Sequence, residues 1–160
     1  MSAALLALLV AATPAGRVFA LDAAKSTLRY HVVHRFHDVT GVSSSLEGRA
    51  VLQADGRVLA MVRAPIASFD SGERNRDAHM REATAAARFP FVVFKGFARL
   101  GPGSAAPARS VTVETRMEGE VELHGVKKPV VVPLEIDLSP DGTARARGSF
   151  EVSLDAFGVE

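Results

Sequence analysis

Between Val111 and Leu154 the chain alternates apolar and polar residues with a period of two, and no other feature narrows the fold as far. One parity carries Val111, Val113, Thr115, Met117, Gly119, Val121 and Leu123; the other carries Thr112, Glu114, Arg116, Glu118, Glu120 and Glu122. A strand sends successive side chains to opposite faces, so this is one dry face and one wet, acidic face. A helix would mix the two sets around its circumference. The pattern resumes from Val126, with Val130, Val132, Leu134, Ile136 and Leu138 on one parity. His124-Gly125 fits a two-residue hairpin loop that pairs Leu123 with Val126, both on the apolar parity. Pro140-Asp141-Gly142 supplies the next reversal, and Ala144 to Leu154 alternates again. Three strands in a meander are predicted.

The rest of the mature chain is similar but less regular. Leu28, Tyr30 and Val32 alternate with Arg29 and His31, and Ser45–Gln53 and Val58–Ile66 flank the turn signal Asp55-Gly56. Phe91 to Leu100 is apolar on both parities, as in a strand covered on both sides. Residues 75–87 form the one helical stretch, with Asn75 as N-cap, Asp77 in the first turn and Pro90 blocking continuation. Seven strands and one short helical insertion predict an all-β antiparallel domain, a barrel or a sandwich.

Residues 1–20 read differently. Ala3 to Ala12 is an almost pure Ala/Leu/Val run of ten residues, too short for a hydrocarbon core of about 30 Å. Val18 and Ala20 place small residues at −3 and −1 of a cut before Leu21, so a secretory leader of residues 1–20 and a domain of residues 21–160 are expected. No Lys or Arg precedes the run; an N-terminal helix kept in the protein is the other reading.

Nineteen Lys and Arg against eighteen Asp and Glu leave no basic surplus for nucleic acid. Without cysteine, disulfides, thiolate catalysis and Cys-ligated zinc are excluded. His31, His34 and His37 form H-x2-H-x2-H, but odd spacing puts His31 and His34 on opposite faces of a strand. Surface histidines are the simpler reading, and a zinc or copper site on them stays open. Arg76, Asp77 and His79 form the densest polar group, suited to pinning the insertion, to a ligand head group or, least, to catalysis. Nine phenylalanines stand against one tyrosine and no tryptophan. Phe69, Phe89, Phe91, Phe94 and Phe97 gather around the insertion, where ordinary core and an apolar pocket are rival readings.

Arg76-Asp77-Ala78-His79-Met80 resembles the R-D-x-H-(L/M) stretch of the YceI-like family. Ser68-Phe69-Asp70-Ser71-Gly72 precedes it as the family's small-residue loop does. Phe89 to Phe94 is similar to the family's YP-x-(I/V)-x-F strand. Glu118 to Val130 resembles its G-x-L-x-(L/I)-x-G-V-(T/K)-K-P-V hairpin, and Phe150 to Gly158 its closing segment. The resemblance spans about residues 26 to 160. It implies a lipocalin-like antiparallel β-barrel, exported to the periplasm, that holds a long isoprenoid such as a polyprenyl chain or quinone tail. On that basis the ligand wall takes Tyr30, Val32, Phe36, Phe69, Met80, Phe91, Phe94 and Phe97 from the first half. Val113, Met117, Val121, Val132, Leu134 and Phe150 complete it, with Arg76, Asp77 and His79 as polar rim. No catalytic residue, cofactor or metal is expected, and the partner is a long-chain lipid. An envelope stress or interaction protein, or an enzyme acting on an isoprenoid, are the alternatives.

Two departures from the family pattern matter. The segment Tyr30 to His37 is richer in histidine. Family members also continue past the Asp155–Gly158 segment into a final strand, so with Glu160 as the end one seam would be open. Ala144–Leu154 would then be an unprotected edge along which a homodimer could form.

Overall fold

The computed structural model describes residues 16–33 and 35–160. Nine strands and one α-helix follow in order: β1 (Arg17–Ala20), β2 (Leu28–Val33), β3 (Asp38–Ser43), β4 (Glu47–Leu52), β5 (Arg57–Pro65), α1 (Arg74–Ala83), β6 (Phe91–Arg99), β7 (Val111–Leu123), β8 (Val126–Leu138) and β9 (Ala144–Gly148). Seven of them make one antiparallel sheet in the order β1-β4-β5-β6-β7-β8-β9, and β2 and β3 pair as a separate hairpin. The sheet curls into a half-barrel, so the expected all-β, barrel-like architecture is present with the wall open between its edge strands.

The period-two pattern is realised as read for β7 and β8. Leu123 pairs with Val126 and Met117 with Val132 across the hairpin. His124 and Gly125 both take positive φ, 55° and 72°, the primed turn whose twist matches the flanking strands. A Cβ on Gly125 would come within 2.6 Å of the Phe89 ring, so the turn is also tucked against the segment before β6.

Three expectations change. The final meander strand stops at Gly148 instead of Leu154, and all of β9 is exposed; at the sheet edge its alternating residues meet no second layer, so pattern alone cannot hold them in a ladder. The helix begins at Arg74, with Glu73 rather than Asn75 as N-cap: its carboxylate accepts from the Asn75 and Arg76 amides at 3.1 and 2.8 Å. It ends at Ala83, before a left-handed residue at Ala85 (φ 48°), rather than at residue 87. Strand β3 went unread because Asp38–Ser43 carries a glycine and three polar residues, and its pairing with β2 is non-local information.

Strand β1 also lies inside the stretch expected to leave with a leader. It pairs with β4 from Arg17↔Leu52 to Ala20↔Arg49, and Phe19 packs on the main core. Residues 1–15 of the expected leader lie outside the described residues, as does His34.

The hairpin β2-β3 joins the rest through backbone and hydroxyls. Val42 and Asp70 exchange two amide hydrogen bonds of 3.0 Å. The Ser68 hydroxyl donates to the Pro65 carbonyl at 2.6 Å, so the buried Ser43 hydroxyl donates to Ser68 Oγ, also at 2.6 Å. Ser43 Oγ in turn accepts the Ser45 amide. This chain of donors satisfies a fully buried polar side chain, which would otherwise be costly.

Candidate functional site

The concave face of the half-barrel is assembled from one parity of five strands. Ala50 and Leu52 come from β4; Val58, Ala60, Val62 and Ala64 from β5; Val92, Phe94 and Ala98 from β6. Met117 and Val121 on β7 face Val132 and Lys128 on β8. Most of these join one buried cluster with Leu100, Ile136 and Leu138. At its centre Gly96 pairs with Gly119. A Cβ on Gly119 would lie 2.0 Å from the Lys95 carbonyl oxygen, so β6 and β7 approach there as only glycine permits. A Cβ on Gly96 would meet the Met117 and Phe94 side chains instead. The floor of the face is thus a bare backbone dent overhung by a flexible thioether and an aromatic ring. Such groups refill irregular apolar space readily.

The ring of Phe150, from the coil after β9, stacks on Phe94 with centroids 6.3 Å apart. Phe150 remains partly exposed, so it covers the face from the solvent side. A second cluster lies where α1 and the β2-β3 hairpin meet the sheet. Tyr30 and Phe69 approach to 5.4 Å, with Leu46, Ala64, Met80 and Val92 around them. Tyr30 also covers Gly41 across the hairpin.

The polar group on α1 has a clear role in holding this cluster. Asp77 is buried, and both of its oxygens accept the Ser71 amide, at 3.1 and 3.3 Å. Arg76 Nε donates to Ser71 Oγ at 3.0 Å and its terminal nitrogen to the Ser71 carbonyl at 3.3 Å. Together they fasten the loop after Phe69 to the first turn of the helix. Burial raises the Tyr30 phenol above its ordinary pKa; the Asp77 charge adds to this and Arg76 opposes it. The phenol therefore stays protonated at neutral pH.

The sequence-derived site residues divide in three. Phe94, Val113, Met117, Val121, Val132 and Leu134 share the concave face, with Phe150 over it. Tyr30, Phe69 and Met80 form the neighbouring cluster, and Val32 follows Tyr30 on the same parity of β2. The structure does not bring Phe36, Phe91 or Phe97 to them. Phe36 is 87% exposed in the β2-β3 turn. Phe91 and Phe97 have the opposite parity to Phe94 and sit on the convex face, Phe91 beneath the Arg63 guanidinium at 4.2 Å. A run that is apolar on both parities hides which face is which. On the rim, Arg76 and Asp77 are engaged with Ser71, whereas His79 is exposed on α1.

Sequence reading also missed a clamp. His124 Nδ1 donates to the Phe157 carbonyl at 2.8 Å. Phe157, 1% exposed, packs with Val121 and Val159 against Leu123 and Val126. Only the hairpin position of His124 hinted at it. Among the histidines, His31 bonds to Thr40 at 3.0 Å and lies 3.5 Å from an Asp38 carboxylate oxygen. No cluster of three metal-ligating side chains occurs among the described residues.

The model of the YceI-like domain matches residues 19–160. The chain belongs to the YceI-like family. Among solved structures, BcnA of Burkholderia cenocepacia is 20% identical, superposes with a TM-score of 0.66, and the match covers 86% of this chain and 84% of BcnA. A polyisoprenoid-binding domain from Saccharophagus degradans, implicated in plant cell wall breakdown, is 14% identical with a TM-score of 0.65, covering 88% of this chain and 80% of that one. At those identities the likeness speaks for the fold. No curated protein matches in sequence. The family's model begins at Phe19, so β1 is partly inside the YceI-like domain.

Proposed function

We propose that this YceI-like protein is an exported carrier that holds a long apolar lipid, of isoprenoid type, on the concave face of its half-barrel. The observation that carries the reading is the apolar face of β4–β8, interrupted by Lys128, with the Gly96–Gly119 dent overhung by Phe94 and Met117. The polyisoprenoid-binding domain with the same fold supports it. Transfer of an isoprenoid tail from water contributes about 25 cal/mol per Å² of apolar area before association costs. Phe150 is then the residue that moves aside, since it is the exposed ring over Phe94. Arg76 and Asp77 hold the loop of the neighbouring cluster, a role in shaping a binding face rather than in chemistry on the lipid.

The test is native mass spectrometry and organic extraction of the protein purified from its producing cells, followed by rebinding of polyprenols and quinones. Bound isoprenoid lipid, reduced at least about tenfold in affinity by Met117→Asp, is expected. A protein that carries none and rebinds none refutes the proposal.

Export remains part of it, with the cut upstream of β1. A cut before Leu21 would remove a paired strand and take Phe19 from the core. A cut between Ala15 and Gly16 leaves β1 whole and places Thr13 and Ala15 at −3 and −1. N-terminal sequencing of the exported protein should begin at Gly16; a start at Met1 or Leu21 overturns this reading.

A further inference from the structure

The β2-β3 hairpin is set apart from the main sheet. Its strands pair with each other, and its base is fastened by the bridge between Val42 and Asp70 and by the Ser43–Ser68 hydroxyl pair. Val33, at its far end, lies about 10 Å along the strand from Tyr30 at the usual rise per residue. Two large apolar side chains stand in water there. Phe36 is 87% exposed and Val33 75%, the two highest values for such side chains among the described residues. Single exposed apolar residues are ordinary; what marks this pair is its company.

The charge around the tip is one-sided. Between Ser26 and Leu46 the only carboxylate is Asp38, and it lies 3.5 Å from His31 Nε2. Arg29 has the same parity on β2 as Val33, and Arg35 is the residue before Phe36. Both are exposed and make no ion pair among the described residues. Spare cations beside an exposed aromatic ring complement an anionic phospholipid surface, where guanidinium meets phosphate and the ring sits at headgroup depth. The convex face of the sheet lacks this match. There Phe97 pairs with Glu118 and Glu118 with Val131, so a carboxylate that an anionic surface repels interrupts the exposed apolar residues.

The tip is also continuous with the face assigned to the lipid. Behind it Val32 and Val39 pair on the inner parity of the hairpin, both partly exposed. Leu28 and Tyr30 follow on that parity and pack in the cluster of Phe69, Met80 and Val92. Val92 in turn joins Phe94 in the cluster around Val121. Apolar side chains thus lead from the tip to the concave face.

We propose that the β2-β3 tip docks the protein on an anionic phospholipid bilayer, with Phe36 and Val33 at the boundary of headgroups and acyl chains and Arg29 and Arg35 on lipid phosphates. The purpose of such docking, transfer of an isoprenoid along Val32, Val39 and Tyr30, rests on the carrier reading; the contact itself does not. Two apolar side chains and two cations bind a bilayer only reversibly, as suits a carrier that must leave again.

The experiment is flotation of the purified protein with unilamellar vesicles of phosphatidylcholine, alone or mixed with phosphatidylglycerol, with no isoprenoid present. The parent chain should float with the mixed vesicles, and less so at high salt. Phe36→Ser should weaken the association about tenfold and Arg35→Glu about fivefold, both with an unchanged circular dichroism spectrum. The chain has no tryptophan, so Phe36→Trp adds a lone reporter. Its emission should shift to the blue on the mixed vesicles and be quenched by lipids brominated in their acyl chains, whereas that of Leu59→Trp, on the convex face, should do neither. A parent chain that never floats overturns the proposal, as does flotation indifferent to both Phe36→Ser and Arg35→Glu, or quenching at position 59 in place of 36. Polyprenol rebinding without flotation refutes the docking tip and spares the carrier; flotation without rebinding upholds the tip and refutes the carrier.

Discussion

Gly119 shows how a single residue can shape the concave face. Its neighbour across the ladder is the backbone of Lys95, which cannot swing away, whereas Gly96 is faced by the ends of Met117 and Phe94. Gly119→Ala should therefore cost about 2–3 kcal/mol of stability, and Gly96→Ala clearly less, because only the second clash relaxes by rotamer change. Urea unfolding of the two variants checks this; equal costs would contradict it. Tyr30 supplies a pH dependence. Its folded pKa is raised, so between the ordinary tyrosine value of about 10 and the folded value the native state holds a proton that the unfolded chain has lost. The stability it contributes is complete below pH 10 and is lost as pH rises through the folded value. Alkaline melting curves should show an extra fall in the parent that Tyr30→Phe lacks.

At the scale of elements, the decisive contrast is between β8 and β9. Strand β8 has neighbours on both sides, and Val132, Ile136 and Leu138 are buried. Strand β9 is the sheet edge and is exposed throughout. Arg147 bonds to Glu135 across the ladder and lies 3.7 Å from Asp137, while Arg145 stands opposite Asp137. These charges tie β9 to β8 weakly and keep other strands off it. Replacing both by Thr should leave the curled sheet intact and raise aggregation, read as light scattering on storage. An unchanged scattering trace would show that the edge needs no protection.

For the whole molecule, the proposed carrier role links stability to cargo. A ligand bound only by the folded state stabilises it by mass action, by about 2.7 kcal/mol at a hundredfold excess over the dissociation constant. Extracting the lipid should lower the melting temperature by several degrees, and adding polyprenol should restore it. Melting that is indifferent to both treatments would separate this fold from any such cargo.

The local signals in the sequence carried far because they obey strict geometry. The two-residue turn at His124-Gly125 and the alternation around it determined β7, β8 and their register, since a slip by one residue would expose every apolar side chain. The ordered motifs around Arg76-Asp77, Phe89 to Phe94 and Glu118 to Val130 sufficed for the family. Other features depend on partners remote in the chain. Only tertiary pairing made Arg17–Ala20 a strand, turned Phe91 and Phe97 outward, joined His124 to Phe157 and set Gly96 opposite Gly119. Composition is blind to such contacts: a period-two pattern states that a strand has two faces, but the neighbouring strands decide which face is the inside.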